Sequence, residues 1–250
     1  MFIHGGFHGW WAWEIWQSHF AELGWCTYAI SLPGHTDSKQ LPDSDFVALD
    51  LSDYARAVGE LLGWLNEPPV LVGHSMGGIV AQMVAQHANP RALVLVASGR
   101  TRKGDEFRPD FPLGKPVVIK REEARKEFFH VIDDDWFDQL FQRLCPESPA
   151  ALNDVTRGGA IKSAEFECPV LVLTAERDRG HVSELADYAT RTYRATRAVV
   201  LNAGHDLILD PTSSVAATYV HAWLVTHIPT ALPAIQVTAQ GQDCCLAPAD

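Results

Sequence analysis

Short runs of apolar, often β-branched residues alternate along this chain with longer stretches whose apolar positions recur at helical spacing. The short runs are Phe2-Ile3, Cys26 to Ile30, Val70 to Val72, Leu93 to Val96, Val170 to Leu173 and Ala198 to Leu201. They carry little polar alternation, as strands do when both faces of their sheet are covered. Between them the spacing predicts helices around Trp11 to Leu23, Leu51 to Leu65, Gly77 to His87, Val182 to Tyr188 and Thr212 to His227. Strands that alternate with helices in this way predict an α/β fold, a mostly parallel sheet of about six strands flanked by helices. Ahead of the last helix, Asp210-Pro211 reads as an N-cap followed by proline at the first helical position. Val215, Tyr219, Val220, Trp223 and Leu224 read as the apolar face of that helix.

The alternation breaks between Gly99 and Phe166. A polar, basic stretch with prolines, Thr101 to Pro116, leads into a helical segment, Arg121 to Leu144. Its apolar stripe is Phe128, Phe129, Ile132, Trp136, Leu140 and Phe141. An interruption between two sheet strands, with no strand pattern of its own, is expected to be an inserted helical cap. The expected division is a core of residues 1–99 and 166–250 with a cap or lid of residues 100–165. Ala231 to Asp250 lacks periodicity and is expected to be a mobile tail.

Composition narrows the function classes. The 250 residues are 47% hydrophobic and 20% charged, enough for one α/β domain whose core needs no disulfide. Five cysteines (Cys26, Cys145, Cys168, Cys244, Cys245) without a C-x-x-C spacing are expected to be reduced thiols. The formal charge of −11 opposes binding to phosphate backbones, so no nucleic-acid partner is expected. No apolar run approaches the ~20 residues of a membrane span. The N-terminal residues lack a basic region followed by a long apolar one, so the expectation is a soluble, cytoplasmic protein.

Three segments carry chemistry. Gly73-His74-Ser75-Met76-Gly77-Gly78 places Gly-x-Ser-x-Gly directly after a predicted strand and directly before a predicted helix. A sharp strand-to-helix turn strains the serine backbone and lifts its hydroxyl at the C-terminal edge of the sheet, beside a helix N-terminus. Ser75 is therefore the candidate nucleophile. His4-Gly5-Gly6-Phe7-His8-Gly9 follows the first strand, where a second oxyanion donor belongs. The expected donors are the backbone N–H of Met76 and that of Gly6 or Phe7. His4 and His8 have no helical context and no carboxylate close by in the sequence, so no metal site is expected.

The base and the acid follow the last strands. Val170 to Thr174 runs into Ala175-Glu176-Arg177-Asp178, and Val199 to Leu201 runs into Asn202-Ala203-Gly204-His205-Asp206. Chain order is then serine, acid, histidine, with each residue just past a parallel strand. Of eleven histidines, His205 alone follows the last strand. His74 lies inside the elbow, His19, His87, His221 and His227 lie on predicted helices, and His35 organises the turn Pro33-Gly34-His35. Asp178 has a longer reach from its strand end than Glu176 or Asp206, and Ser98-Gly99-Arg100 offers no acid after the preceding strand. His205 would act as general base and Asp178 would orient it.

With these residues in place, the chain resembles the α/β-hydrolase superfamily in its lipase and esterase branch. The matching motifs are His4-Gly5-Gly6-Phe7-His8-Gly9-Trp10, Gly73-His74-Ser75-Met76-Gly77-Gly78 and Gly204-His205-Asp206. The opening resembles the group that contains the plant methyl-ester hydrolases and hydroxynitrile lyases, which omits the first two strands of the larger fold. Omission of those strands would make Cys26 to Ile30 a sheet edge, and covering it is a reason to form a homodimer. The resemblance implies a small-molecule ester substrate of modest size with an apolar portion, cleaved without a cofactor. The cap and the aromatic opening (Phe7, Trp10, Trp11, Trp13, Trp16) would line its pocket, although Trp13 and Trp16 also fit a helix core. The same triad could instead hydrolyse a carbon–carbon bond or pass an acyl group to peroxide. A ligand receptor that has lost turnover would not need all three triad residues.

Overall fold

Successive strand residues of this chain enter two different cores, one on each side of a single sheet. The structure, a computed structural model, describes residues 1–98, 110–157, 161, 166–179 and 182–228. Its strands are β1 (Phe2–Ile3), β2 (Ala29–Ile30), β3 (Val70–His74), β4 (Ala92–Val96), β5 (Val170–Ala175) and β6 (Thr196–Val200). The pairings among these strands are all parallel, in the order β2-β1-β3-β4-β5-β6. Phe2, Val72, Val94, Val96, Leu171 and Leu173 face one side, and Ile3, Leu71, Leu93, Leu95, Val170 and Val172 face the other. The period of two along each strand produces this division, and burial of both sets explains the unbroken apolar runs.

Helices cover each face. On the Phe2 side lie α1 (Glu14–Glu22) with Trp16 and Phe20, and α9 (Ser213–His227) with Val220 and Trp223. On the Ile3 side lie α3 (Leu51–Leu62), α4 (Met76–Ala88) and α8 (Val182–Tyr193). A short α2 (Asp43–Phe46) precedes α3. At α3 the Asp50 side chain accepts from the Ser52 and Asp53 N–H groups while Asp53 reaches back to the Asp50 N–H, a capping box that fixes where the helix starts.

Between β4 and β5 stand α5 (Arg121–Glu127), α6 (Asp134–Phe141) and α7 (Pro149–Arg157). The single helical segment expected over Arg121 to Leu144 is thus two helices. Asp133 caps α6 by accepting from the Trp136 N–H, and the Arg125 guanidinium donates to the Phe129 and Ile132 carbonyls at the break. Phe129, Ile132, Phe137 and Leu140 join the core of the Phe2 face, so these helices are anchored to the sheet side. The third helix, α7, begins at Pro149, where proline suits a first turn. It lies beyond the stripe that the sequence pattern marks.

Two further expectations change. The strand foreseen over Cys26 to Ile30 pairs only at Ala29 and Ile30, at the sheet edge beside β1. Helix α9 starts at Ser213, two residues past the expected proline, because Asp210 accepts from the Thr212 N–H and hydroxyl instead of capping the helix itself. Its buried face is Ala216, Ala217, Val220, Trp223 and Leu224, while Val215 is 67% exposed and Tyr219 is 40% exposed. Cys26, Cys145 and Cys168 are not disulfide-bonded. The tail from Ala231 with Cys244 and Cys245, and most of the polar stretch from Thr101, lie outside the described residues. Among the described residues no helix is long and apolar enough to cross a membrane.

Candidate active site

The sheet order fixes where a site can form. From β1 the chain moves outward to β2, then returns to place β3 on the other side of β1 and continues to β6. Open parallel sheets hold ligands outside the strand C-termini at such a reversal. The loop after β1 carries Gly5 to Gly9 and the turn after β3 carries Ser75, so both candidate segments meet there.

The turn at Ser75 has the strain expected of an elbow. Ser75 has φ 50° and ψ −120°, an unfavourable backbone for a non-glycine residue, held by its N–H to the Val96 carbonyl and by the Ser98 hydroxyl on its own carbonyl. Glycine at 73 and 77 makes the close return possible: a Cβ on Gly73 would stand 2.6 Å from Gly78 Cα, and one on Gly77 would strike the Ile3 and His4 carbonyls. Helix α4 starts at Met76, whose N–H, as the first of the helix, has no intrahelical acceptor.

His205 Nε2 lies 3.0 Å from Ser75 Oγ, and His205 Nδ1 lies 2.9 Å from Asp178 Oδ2. The three residues come from the turn after β3 and the loops after β5 and β6, as the sequence order anticipates. Of the rival acids, Glu176 is exposed and accepts from the Asn202 N–H. Asp178 and His205 are 6% and 12% exposed, so their pairing is shielded from water. Burial alone would lower the pKa of the His205 imidazole; the Asp178 charge and hydrogen bond, with Asp206 behind them, outweigh burial and leave it raised.

Asp206, adjacent to His205, is buried and faces two other imidazoles. Its carboxylate oxygens lie 3.3 Å from His8 Nε2 and 3.3 Å from His74 Nε2. His8 therefore does have a carboxylate beside it, brought across the fold from the last loop. Burial would raise the Asp206 carboxyl, but the facing histidines reverse this and hold it well below the usual range. The His74 imidazole is pushed down to about 4, chiefly by burial, and its Nε2 faces the His205 carbonyl at 3.0 Å. Among the described residues, no group of three or more His, Cys, Asp or Glu is arranged to hold a metal ion.

The glycine loop departs from expectation at one position. A Cβ on Gly5 would lie 3.2 Å from Ser75 Cβ, so the loop runs directly against Ser75. The Phe7 N–H, one of two expected oxyanion donors, instead donates to Glu147 Oε2 at 3.1 Å. Phe7 has φ 67°, which turns this N–H toward the buried carboxylate. Gly6 is left as the donor candidate from this loop, beside Met76. Glu147 itself has no sequence signal: it sits outside any motif and meets partners from three distant segments.

A side chain from the segment between β4 and β5 lies against His205. The Phe128 ring stacks on the His205 imidazole and also meets Phe7 and His8, while His130 Nε2 donates to the Arg177 carbonyl at 2.7 Å. The aromatic opening contributes less to this surface than the sequence implies. Trp11, Trp13 and Trp16 are fully buried in the core, and Trp10 is half-buried with its N–H on Asp37.

Comparison with known proteins places this geometry in context. The chain is 26% identical over 220 residues to a pimeloyl-[acyl-carrier protein] methyl ester esterase of Neisseria meningitidis, covering 78% of this chain and 81% of that protein. It is 30% identical over 151 residues to a 2-succinyl-6-hydroxy-2,4-cyclohexadiene-1-carboxylate synthase of Serratia proteamaculans, covering 59% and 56%. Among solved structures, a methylesterase from Arabidopsis superposes with a TM-score of 0.69 at 21% identity, covering 89% of this chain and 97% of that one. The model of the alpha/beta hydrolase family matches residues 1–218, which include every segment of the site. The chain belongs to the alpha/beta hydrolase family.

Proposed function

We propose that this protein is a serine esterase that cleaves a carboxylic ester of a small alcohol, a methyl ester in the first instance, through an acyl-enzyme on Ser75. The continuous line Ser75 Oγ–His205 Nε2–His205 Nδ1–Asp178 Oδ2, with steps of 3.0 and 2.9 Å, carries the reading. As Ser75 Oγ attacks the ester carbonyl, His205 Nε2 takes its proton and Asp178 stabilises the imidazolium. The carbonyl oxygen becomes an alkoxide facing the Met76 and Gly6 N–H groups. His205 then returns the proton to the departing alcohol oxygen. Water, deprotonated by the same imidazole, hydrolyses the acyl-enzyme and restores Ser75.

Residues 100–165 act in this reading as a cap, with Phe128 and Phe7 forming an apolar wall beside the base. The relatives named for methyl esters favour a small leaving group, and the aromatic wall favours an acid with an apolar portion. The test is intact-mass detection of a fluorophosphonate adduct beside turnover of methyl and p-nitrophenyl esters of increasing acyl length. An adduct on Ser75 with methyl-ester turnover is the expected result, and Ser75→Ala should lose both while keeping its melting temperature. An adduct without ester turnover would overturn the esterase and leave a nucleophile for carbon–carbon cleavage. Absence of an adduct would remove the activated serine altogether.

A further inference from the structure

The Gly6-Phe7 peptide is gripped at both ends by buried side chains. Its N–H donates to Glu147 Oε2 at 3.1 Å, and its carbonyl, on the opposite side of the same trans unit, accepts from His8 Nδ1 at 2.7 Å. Among the described residues, the preceding Gly5-Gly6 peptide is held by its carbonyl alone, which takes His4 Nδ1 at 2.8 Å and the His8 N–H at 3.3 Å. A trans peptide directs N–H and C=O oppositely, so the Gly6 N–H faces away from His4, in a loop whose Gly5 lies against Ser75.

Glu147 arrives at this loop from the insertion, just before α7. Its carboxylate is fully buried and accepts four bonds: Tyr54 Oη at 2.8 Å and the Ser148 N–H at 2.8 Å on Oε1, His35 Nε2 at 2.9 Å and Phe7 N–H on Oε2. Four donors fill the acceptor sites of an ionised carboxylate. His35 faces acceptors with both nitrogens, Glu147 and the Pro33 carbonyl, an arrangement that an imidazolium satisfies. The Cys145 N–H also donates to the Phe7 carbonyl at 2.9 Å, so one short segment of the insertion holds Phe7 by both its backbone groups.

We propose that Glu147 is a positioning residue of the oxyanion hole, its buried carboxylate fixing the Phe7 N–H so that the Gly6 N–H is aimed at the developing alkoxide. The inference rests on the esterase reading above. It assigns the insertion a part in transition-state stabilisation besides covering the site. Glu147→Gln keeps the shape but removes the charge and leaves one accepting oxygen for four donors, so the grip on the Phe7 N–H weakens.

The experiment measures kcat and KM on p-nitrophenyl acetate, inhibition by an alkyl trifluoromethyl ketone, and thermal melting. The ketone's hemiketal oxyanion with Ser75 occupies the hole, so its affinity reads donor alignment. For Glu147→Gln we expect kcat to fall at least about tenfold, within the ~10²–10³ of losing one donor outright. KM should stay within about twofold and ketone affinity should weaken by a factor similar to kcat. Tyr54→Phe, which removes one of the four bonds, should show the same pattern at about two- to tenfold. A folded Glu147→Gln with unchanged kcat and ketone affinity would overturn the proposal, as would a loss confined to KM. If that variant does not fold, unchanged values in Tyr54→Phe overturn it. Wild-type protein that neither hydrolyses the ester nor binds the ketone would fail at the esterase reading, and this inference would go with it.

Discussion

The Phe128 ring lies over the His205 imidazole with centroids 5.7 Å apart and planes inclined by 25°. The same ring stands 6.1 Å from Phe7 and 5.8 Å from His8, so one side chain just past α5 touches both His205 and the glycine loop. A ring face over imidazole shields it from water and favours its charged form, by about 0.5–1 kcal/mol at such sites. Phe128→Leu retains apolar cover but loses this attraction. It should lower kcat about two- to fivefold and lower the His205 pKa, followed by the ring-proton shift in NMR. An unchanged titration would mean the contact is packing alone.

Asp178→Asn should cost about four orders of magnitude in kcat, because an amide at Nδ1 no longer fixes the tautomer that leaves Nε2 free to accept the Ser75 proton. Glu176→Gln should change little, since that side chain is exposed and serves the Asn202 N–H. Turnover of a p-nitrophenyl ester by both variants checks the pair. Greater damage from the Glu176 substitution would reassign the acid.

The raised pKa of His205 should set the pH profile of an esterase built on it. Only the neutral imidazole accepts the serine proton, so kcat/KM should fall on acidification through a value above the ordinary 6.5. Without the Asp178 charge, the burial that opposes protonation would dominate, and the acid limb of Asp178→Asn should move to lower pH. A pH series on wild type and variant measures both limbs. A wild-type limb below 6.5 would contradict the electrostatic balance drawn from the site.

Ser75, Asp178 and His205 are legible in the sequence because each follows its own apolar strand run, and parallel strands end at a common edge. Their approach needs no knowledge of packing. Glu147 is illegible for the opposite reason. Its partners Phe7, His35 and Tyr54 lie 140, 112 and 93 residues away, and nothing in a local window marks a carboxylate that tertiary contact will bury. The same distance hides the contact of His8 with Asp206, so a histidine with no visible acid in sequence acquires one in space. Helix α9 misleads by periodicity: Val215 and Tyr219 share an apolar stripe with Val220 but rotate to solvent, and small residues at Ala216 and Ala217 let the helix lie close on the core. At the loop after β1, two candidate donors stand side by side, and only the Glu147 contact separates Gly6 from Phe7.

Asp206 supports the site from behind, and its contribution should appear as stability with a defined pH window. It is 2% exposed and faces His8 and His74, equally buried, with His205 also acting on its charge. At neutral pH the His74 imidazole, held down to about 4, is uncharged, so removing the carboxylate costs its polar contacts with the two imidazoles, about 1–3 kcal/mol. Asp206→Asn should lose about that much at neutral pH, a large fraction of the roughly 5–15 kcal/mol that holds a domain together. The carboxyl is lowered in the folded state from 3.8, so its contribution is present above 3.8 and is lost as pH falls through the lower folded value. The stability gap between wild type and variant should therefore be constant at neutral pH and shrink in stronger acid. Urea unfolding of both proteins at pH 7 and near pH 3 measures it. A gap that persists unchanged in acid would mean that Asp206 acts through shape and hydrogen bonding, with no part played by its charge.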